Sequence, residues 1–162
     1  MGAQLKMVNL TEDHTTPQFN LGTVHIDEQG RHYMYGKYNG AHTAGRWSIM
    51  PVDETYDFVP MTTALVGTAG SDWKPGGVAC CDGADNSYGW FWIGYGFFEA
   101  IVENSYAAND IIYTTANAGI PGTNSSSHVL DGVITVDAGV TGTRVTVYAA
   151  GRITYGLTAN HD

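Results

Sequence analysis

The segment of residues 88–102 constrains the fold of this chain more than any other part of its sequence. In an extended strand, alternate side chains point to opposite faces, so Trp90 and Trp92 lie on one face. The other face carries four large apolar side chains, namely Phe91, Ile93, Tyr95 and Phe97. Because both faces are apolar, we predict a strand that is covered on both sides. Gly94 and Gly96 fall on the tryptophan face, where they admit a bulge or the close approach of a neighbouring backbone or ring.

The rest of the sequence also has the composition of a β-protein. It contains 18 threonines but only 6 leucines, and lysine and glutamate together number 8, which favours strands over helices. Two alternating runs, 133–137 and 143–149, flank a glycine-containing turn and predict a β-hairpin. Further strands are predicted at residues 31–38, 46–51, 57–61, 77–81 and 111–115, and the pattern allows a short helical turn at 99–108. Short strands separated by frequent turn residues predict an all-β fold, either a compact β-barrel or a β-sandwich.

The first 28 residues differ from the remainder in composition. They are polar, with one proline and a few scattered apolar side chains, which are Leu5, Met7, Val8, Leu10, Phe19 and Leu21. A segment of this kind cannot form a core of its own, so we predict an extended N-terminal arm at residues 1–28. Residues 29–162 then form a single β-rich domain, whose length is sufficient for one core.

Charge and motifs exclude several classes of function. With 7 basic and 16 acidic residues the chain has a formal net charge of −9, which argues against binding to nucleic-acid phosphates. No apolar stretch approaches the length of a membrane span, and no secretory signal is apparent.

The sequence contains no motif for metal binding or catalysis. The six histidines show no metal-ligand spacing and no serine-hydrolase motif is present, so we expect no metal, no cofactor and no enzymatic activity. Cys80 and Cys81 are adjacent and are expected to be reduced thiols on opposite faces of a strand.

The aromatic residues leave more than one function open. Most are expected in the core, and Trp90, Trp92 and Tyr95 either there or at a subunit interface. A second interpretation is a carbohydrate-binding module, in which exposed rings stack on sugars, with Trp47, Tyr56 and Trp73 as the candidate platforms. A third is a small hydrolase with paired carboxylates beside a histidine, which would require a cleft that the sequence does not reveal.

The order of several motifs resembles small virion proteins of tailed bacteriophages, namely the head decoration (cement) proteins. The resemblance covers about residues 31–150 and is carried by RHYMYGK at 31–37, GRWSI at 45–49, GGVAC at 76–80, YGWFWIGYG at 88–96, NDIIYTTANAG at 109–119 and DGVI at 131–134. Its most specific elements are the YGWF strand and the YTTA segment that follows.

This resemblance implies a β-rich structural protein, often trimeric, that has no catalytic activity or cofactor and binds the major capsid protein on the outer surface of the virion. The resemblance does not extend to the arm, but an arm that gains order on binding suits such a role, so we predict that its apolar residues lie along neighbouring subunits: Leu5, Met7, Val8, Leu10 and Phe19. The acidity of the chain is consistent with an outward-facing position, since a protein near the packaged genome would meet phosphate repulsion.

Overall fold

Nine β-strands form the described part of this chain in the computed structural model, and no helix occurs there. Structure is described for residues 8–50, 55–61, 74–102, 106–113, 128–140 and 143–157, with the backbone alone at 74, 113, 128, 129, 131 and 155–157. The strands are β1 (Val24–Ile26), β2 (His32–Tyr38), β3 (Trp47–Ile49), β4 (Asp57–Pro60), β5 (Lys74–Ala79), β6 (Tyr88–Ile101), β7 (Ile111–Tyr113), β8 (His128–Thr135) and β9 (Arg144–Leu157). The predicted all-β class is confirmed.

All nine strands belong to one sheet, in the order β1-β2-β4-β3-β5-β6-β9-β8-β7, with additional pairings β2–β6 and β5–β9. Every pairing is antiparallel except that of β2 with β4, which is parallel. Strand β6 also pairs with β2, as it would in a closed barrel. However, the pairings β2–β4, β3–β4 and β5–β6 each contain only two residue pairs. The architecture is therefore sandwich-like rather than a regular closed barrel.

The two faces of β6 contribute to two separate apolar clusters. Trp90 and Trp92 belong to the large cluster, which also contains residues of β2, β3, β5, β7, β8 and β9. Phe91 and Ile93 belong to the small cluster, whose other buried members are Met34, Tyr38, Met50, Phe58, Ala79 and Cys81. The predicted alternation is confirmed over this half of the strand. The cysteines also lie on opposite sides, since Cys80 packs on the large cluster and Cys81 in the small one, both as free thiols.

A sharp bend divides β6 into two halves. Gly94, Tyr95 and Gly96 have φ angles of +124°, +62° and +77°, and the pairing of β6 with β9 shifts register between the two glycines. The rings of Trp92 and Phe98 stack with centroids 5.0 Å apart, whereas six residues of straight strand span roughly 20 Å. We call residues 94–96 the elbow. The predicted bulge is confirmed, and so is the close backbone approach, because a Cβ at Gly94 would overlap the carbonyl oxygen of Gly151.

Several strand boundaries differ from those predicted. The 133–149 hairpin is present as β8 and β9, but both strands are longer than expected, and β1 was not predicted. Residues 99–101 continue β6 instead of forming a helical turn. The predicted strand 77–81 is shifted, since β5 begins at Lys74 and includes Gly76 and Gly77. Gly77 pairs with Ser48 inside the sheet, and a Cβ there would lie 2.8 Å from the Trp92 carbonyl oxygen, so the glycine permits close strand approach.

One histidine is buried beside the small cluster. The ring of His42 lies against Tyr38 and Phe91, with centroids 5.0 and 5.7 Å away. Its Nδ1 is 2.8 Å from the Gly40 carbonyl oxygen, which requires Nδ1 to carry the proton, whereas its buried Nε2 has no hydrogen-bond partner among the described residues. Burial lowers the pKa of His42, and the bond to Gly40 opposes this only in part.

Alanine at Gly94 should destabilise the fold strongly. We expect Gly94→Ala to lower the free energy of unfolding by about 2–4 kcal/mol, because it adds both backbone strain and overlap with Gly151. Gly132→Ala is the matched control, since Gly132 also has a positive φ, of +70°, but faces open space. Urea denaturation measures both variants. Equal losses in the two would contradict the requirement for close approach at the elbow.

Protonation of His42 should make stability depend on pH. An unfolded histidine titrates near pH 6.5, whereas His42 has a lowered pKa, so the unfolded state binds the proton first as the pH falls. Stability should therefore fall below about pH 6.5, by at most about 1.4 kcal/mol per pH unit for this one group. His42→Asn keeps a side-chain N–H for Gly40 but cannot titrate. Urea unfolding at pH 7.5 and 5.5 should show a smaller loss in this variant than in the wild type, and an unchanged loss would contradict the assignment.

Candidate interaction surface

Exposed apolar side chains are concentrated on one face of the sheet. Six large apolar residues are exposed in the described part of the chain, and five of these are between 39% and 56% exposed: Val24, Ile26, Tyr95, Phe97 and Ile111. All five lie on strands, on the side opposite to the large cluster. The sixth, Val140, lies in the turn between β8 and β9. A concentration of this kind on one face is typical of a binding surface.

Cross-strand contacts join these residues into a continuous row across six strands. Directly paired residues on neighbouring strands point to the same face of a sheet. The pairs Ile26 with His32, Phe97 with Tyr148, Tyr148 with Ile134 and Ile134 with Ile111 connect β1 to β2 and β6 to β7. The rings of His32 and Tyr95, 4.1 Å apart, join the two halves. We call these seven residues the outer band: Ile26, His32, Tyr95, Phe97, Tyr148, Ile134 and Ile111.

The elbow holds Tyr95 outward. Tyr95 has a left-handed backbone conformation, and its carbonyl oxygen accepts a hydrogen bond from Trp92 Nε1 at 3.4 Å. Its ring lies over His32 at an interplanar angle of 30°. Phe97, two residues on, packs against the Tyr148 ring at 5.0 Å. The two exposed aromatic rings are therefore positioned by the backbone of the bend and by neighbouring rings.

A network of polar contacts fixes the turn from β1 to β2 beside the elbow. Asp27 Oδ2 accepts hydrogen bonds from Arg31 Nε at 2.6 Å and from the Tyr33 hydroxyl at 3.0 Å, and its Oδ1 accepts from the backbone N–H groups of Gln29 and Arg31. Burial raises the pKa of Asp27, but these hydrogen bonds and the Arg31 charge outweigh it and lower the pKa. Burial raises the pKa of Tyr33, whose hydroxyl therefore remains a donor. The network holds β1 in place at one end of the outer band.

The charges next to the outer band differ from those of the whole chain. On the outward side of β6 and β9, the described charged side chains are Arg144, Arg152 and Glu99. Glu99 accepts a hydrogen bond from the Thr146 hydroxyl at 2.9 Å, and Arg144 donates one to the Ala44 carbonyl oxygen at 3.1 Å. This surface thus carries more basic than acidic groups, whereas the chain has a formal charge of −9.

The residues predicted to form an interface from sequence occupy three different environments. Trp90 and Trp92 are fully buried in the large cluster, whereas Tyr95 is exposed in the outer band. Val8, Leu10 and Phe19 are half-buried against the large cluster of their own chain. Leu5 and Met7 lie outside the described residues. The structure brings the arm residues together with the tryptophans, but not with Tyr95.

The described part of the predicted arm is attached closely to the sheet. The Phe19 ring contacts the rings of Tyr35 and Trp90, each with centroids 5.2 Å apart. His14 and Tyr88 exchange two backbone hydrogen bonds of 2.8 Å, and Gly22 donates another to Tyr35. Strand β1 lies within the predicted arm, so the predicted boundary between residues 28 and 29 falls in the turn before β2. Residues 8–26 therefore complete the cover of the large cluster.

The rings proposed as sugar platforms do not form an exposed pair. Trp47 is fully buried, and its Nε1 donates a hydrogen bond to the Ile101 carbonyl oxygen at 3.0 Å. Tyr56 is half-buried, and its ring packs so closely over Gly22 that a Cβ there would be 2.5 Å from the ring. Trp73 lies outside the described residues. Trp47 is therefore a core residue, one of the two possibilities open from the sequence, and not a sugar platform, because residue type alone does not indicate whether a ring is covered.

The described ranges contain no group of side chains arranged to bind a metal ion. There, no three histidine, cysteine, aspartate or glutamate side chains come together in a way that could hold a metal ion. The same ranges contain no helix with the length and apolarity needed to cross a membrane. Of the two acidic pairs in the sequence, Glu12 and Asp13 are exposed, and Asp53 and Glu54 lie outside the described residues.

Sequence reasoning missed most of the outer band. The alternation in β6 placed Phe97 on the same face as Tyr95, but that face was expected to be covered because it is apolar throughout. Ile26, Ile111 and Tyr148 carried no distinguishing signal, since isolated apolar residues near strand ends are common in any β-protein. Their alignment depends on the register of strands that are far apart in the chain.

The fold of this chain is similar to that of a solved phage protein. No protein-family model matches the sequence, and no curated protein matches it. Among solved structures, the fold is similar to the N base of head fiber gp8.5 in bacteriophage phi29, with a TM-score of 0.53 and 12% sequence identity. The similarity covers 73% of this chain and 92% of that chain. At this identity the likeness shows that this chain shares the fold of a phage head-fiber base.

Proposed function

We propose that this chain is a virion structural protein that binds the outer surface of a phage head and stabilises it as a decoration or cement protein. The observation that carries the proposal is the fold shared with the N base of a phage head fiber over 92% of that chain. The motif order of residues 31–150, which resembles head decoration proteins, supports the same assignment from the sequence. The proposed role is structural and includes no catalytic step and no cofactor.

The charge of the chain supports an outer position on the head. A formal charge of −9 would be repelled by packaged nucleic acid, whereas the outside of the shell imposes no such cost. A protein that binds the assembled shell more tightly than its separate subunits stabilises the shell by mass action. The proposed partner is therefore the major capsid protein in its assembled form, with this chain acting as a homo-oligomer, for which a trimer is the expected order.

The N-terminal segment is the proposed contact with neighbouring subunits. Val8, Leu10 and Phe19 have one side against the large cluster and remain only half-buried, so part of each side chain is available to a partner. Residues 1–7 precede this attached stretch and include Leu5 and Met7. In the proposal, this part of the chain extends from the sheet to an adjacent capsid subunit.

Binding to heads tests the proposal directly. Heads assembled from the major capsid protein encoded in the same genome, but lacking this chain, are mixed with the purified protein and sedimented. We expect the protein to sediment with the heads and to raise the temperature at which they disrupt, because it binds the intact shell preferentially. Absence of co-sedimentation would contradict capsid binding, and binding without a rise in disruption temperature would contradict the cement role.

Removal of residues 1–7 tests the N-terminal contact while leaving the described part of the chain intact. We expect at least about tenfold weaker binding to heads, which corresponds to about 1.4 kcal/mol, together with an unchanged thermal melt of the isolated protein. The matched control is Asn9→Ala, which changes an exposed polar residue at the second position after the deleted segment. Full affinity in the truncated protein would overturn the proposed role of Leu5 and Met7.

A further inference from the structure

We propose that the outer band is a self-association surface that a second copy of this chain covers. The inference deepens the proposed function, since it names the surface through which the proposed homo-oligomer forms. It depends on the arrangement of the band and on the charges around it, and does not require that the partner capsid be known.

The apolar area of the band is appropriate for a protein interface. Val24, beside the band on β1, and four band residues are each about half exposed: Ile26, Tyr95, Phe97 and Ile111. If each offers about half of its side-chain surface, about 150–250 Å² for an aromatic and about 60–120 Å² for an aliphatic side chain, the five present roughly 250–400 Å² of apolar surface. That is within the range of the largest patches on monomers, which are often functional, and it can form the apolar centre of a standard interface of roughly 800 Å² per partner.

The distribution of charge on this chain favours a second copy of the chain as the partner that covers the outer band. Two chains that each carry a net charge of −9 repel one another over most of their surface. On the outward side of β6 and β9 the described charges are Arg144, Arg152 and one carboxylate, Glu99, so this central part of the surface lacks the acidic excess of the whole chain. A second copy also supplies the acidic groups that the two arginines can contact at the rim of the interface. The outward side of β6 and β9 is thus complementary in charge to the acidic surface of a second copy.

The band is also rigid before any partner binds. Its residues lie on paired strands, and Tyr95 is fixed by the elbow, by the Trp92 hydrogen bond and by the His32 ring. Phe97 is supported by Tyr148. Because these side chains are already ordered, little conformational entropy is lost when a second copy covers them. Rigid aromatic residues near the centre of a patch are the residues that most often dominate binding energy.

A charged substitution in the band separates self-association from other roles. The native mass of the wild type, Phe97→Glu and Ile26→Glu is measured by sedimentation equilibrium over a range of protein concentrations. We expect an oligomeric wild type and a dissociation constant raised at least about thirtyfold in each variant, because each places a charge in a desolvated interface. Val140→Glu is the matched control, since Val140 is 63% exposed but lies outside the band, and it should leave the native mass unchanged.

Circular dichroism and thermal melts establish that the variants are folded, as expected for side chains that are about half exposed. A monomeric wild type, or an unchanged native mass in both band variants, would overturn the inference. Co-sedimentation with heads distinguishes its failure from that of the proposed function. A monomeric wild type whose Phe97→Glu variant no longer binds heads would assign the band to the capsid instead, whereas an oligomeric wild type that does not bind heads would overturn capsid binding alone.

Discussion

The bend in β6 is the constraint on which the rest of the structure depends. Three consecutive residues with positive φ, Gly94 to Gly96, turn the strand so that Trp92 and Phe98 stack face to face. The first half of the strand then pairs with β2 and β5, and the second half with β9. One strand thereby links the two parts of the sheet, and the large cluster forms on its concave side. The same bend turns Tyr95 to the outside, so core packing and the exposed surface have a common origin.

The two faces of the sheet are completed in different ways. The large cluster is covered on one side by residues 8–26 of the same chain, through Phe19 and the backbone bonds of His14 and Gly22. The outer band has no comparable cover among the described residues, although it is similarly rich in large apolar side chains. Only 14% of the residues are charged, so few charged side chains are available to keep such a face soluble. Contact with another protein surface would remove these apolar side chains from water.

Much of the fold could be predicted from local pattern, and most of the candidate surface could not. Alternation in residues 88–93 correctly separated Trp90 from Phe91, and the glycines of the elbow correctly indicated close approach. Alternation along a strand shows which face a side chain occupies, but not what lies opposite that face. It therefore did not show that Phe97, beyond the elbow, is exposed. Strand β5 begins at Lys74 and not at the predicted residue 77 for a related reason, since local pattern does not show the close approach of the Trp92 carbonyl that only a glycine at position 77 allows. The outer band depends on register between strands such as β1 and β2 or β8 and β9, and register of this kind is set by tertiary packing.

The position of β9 has a consequence for how the protein is made. This strand is the last along the described chain, yet it pairs with β5, β6 and β8 and supplies Val145, Val147, Ala149 and Ile153 to the large cluster. During synthesis, the second half of β6 therefore remains an unpaired edge until β9, which begins 144 − 101 = 43 residues after the end of β6, has left the ribosome. The sheet can be completed only after β9 has been made, and a chain that stops before β9 would present the aromatic half of β6 as a template for aggregation.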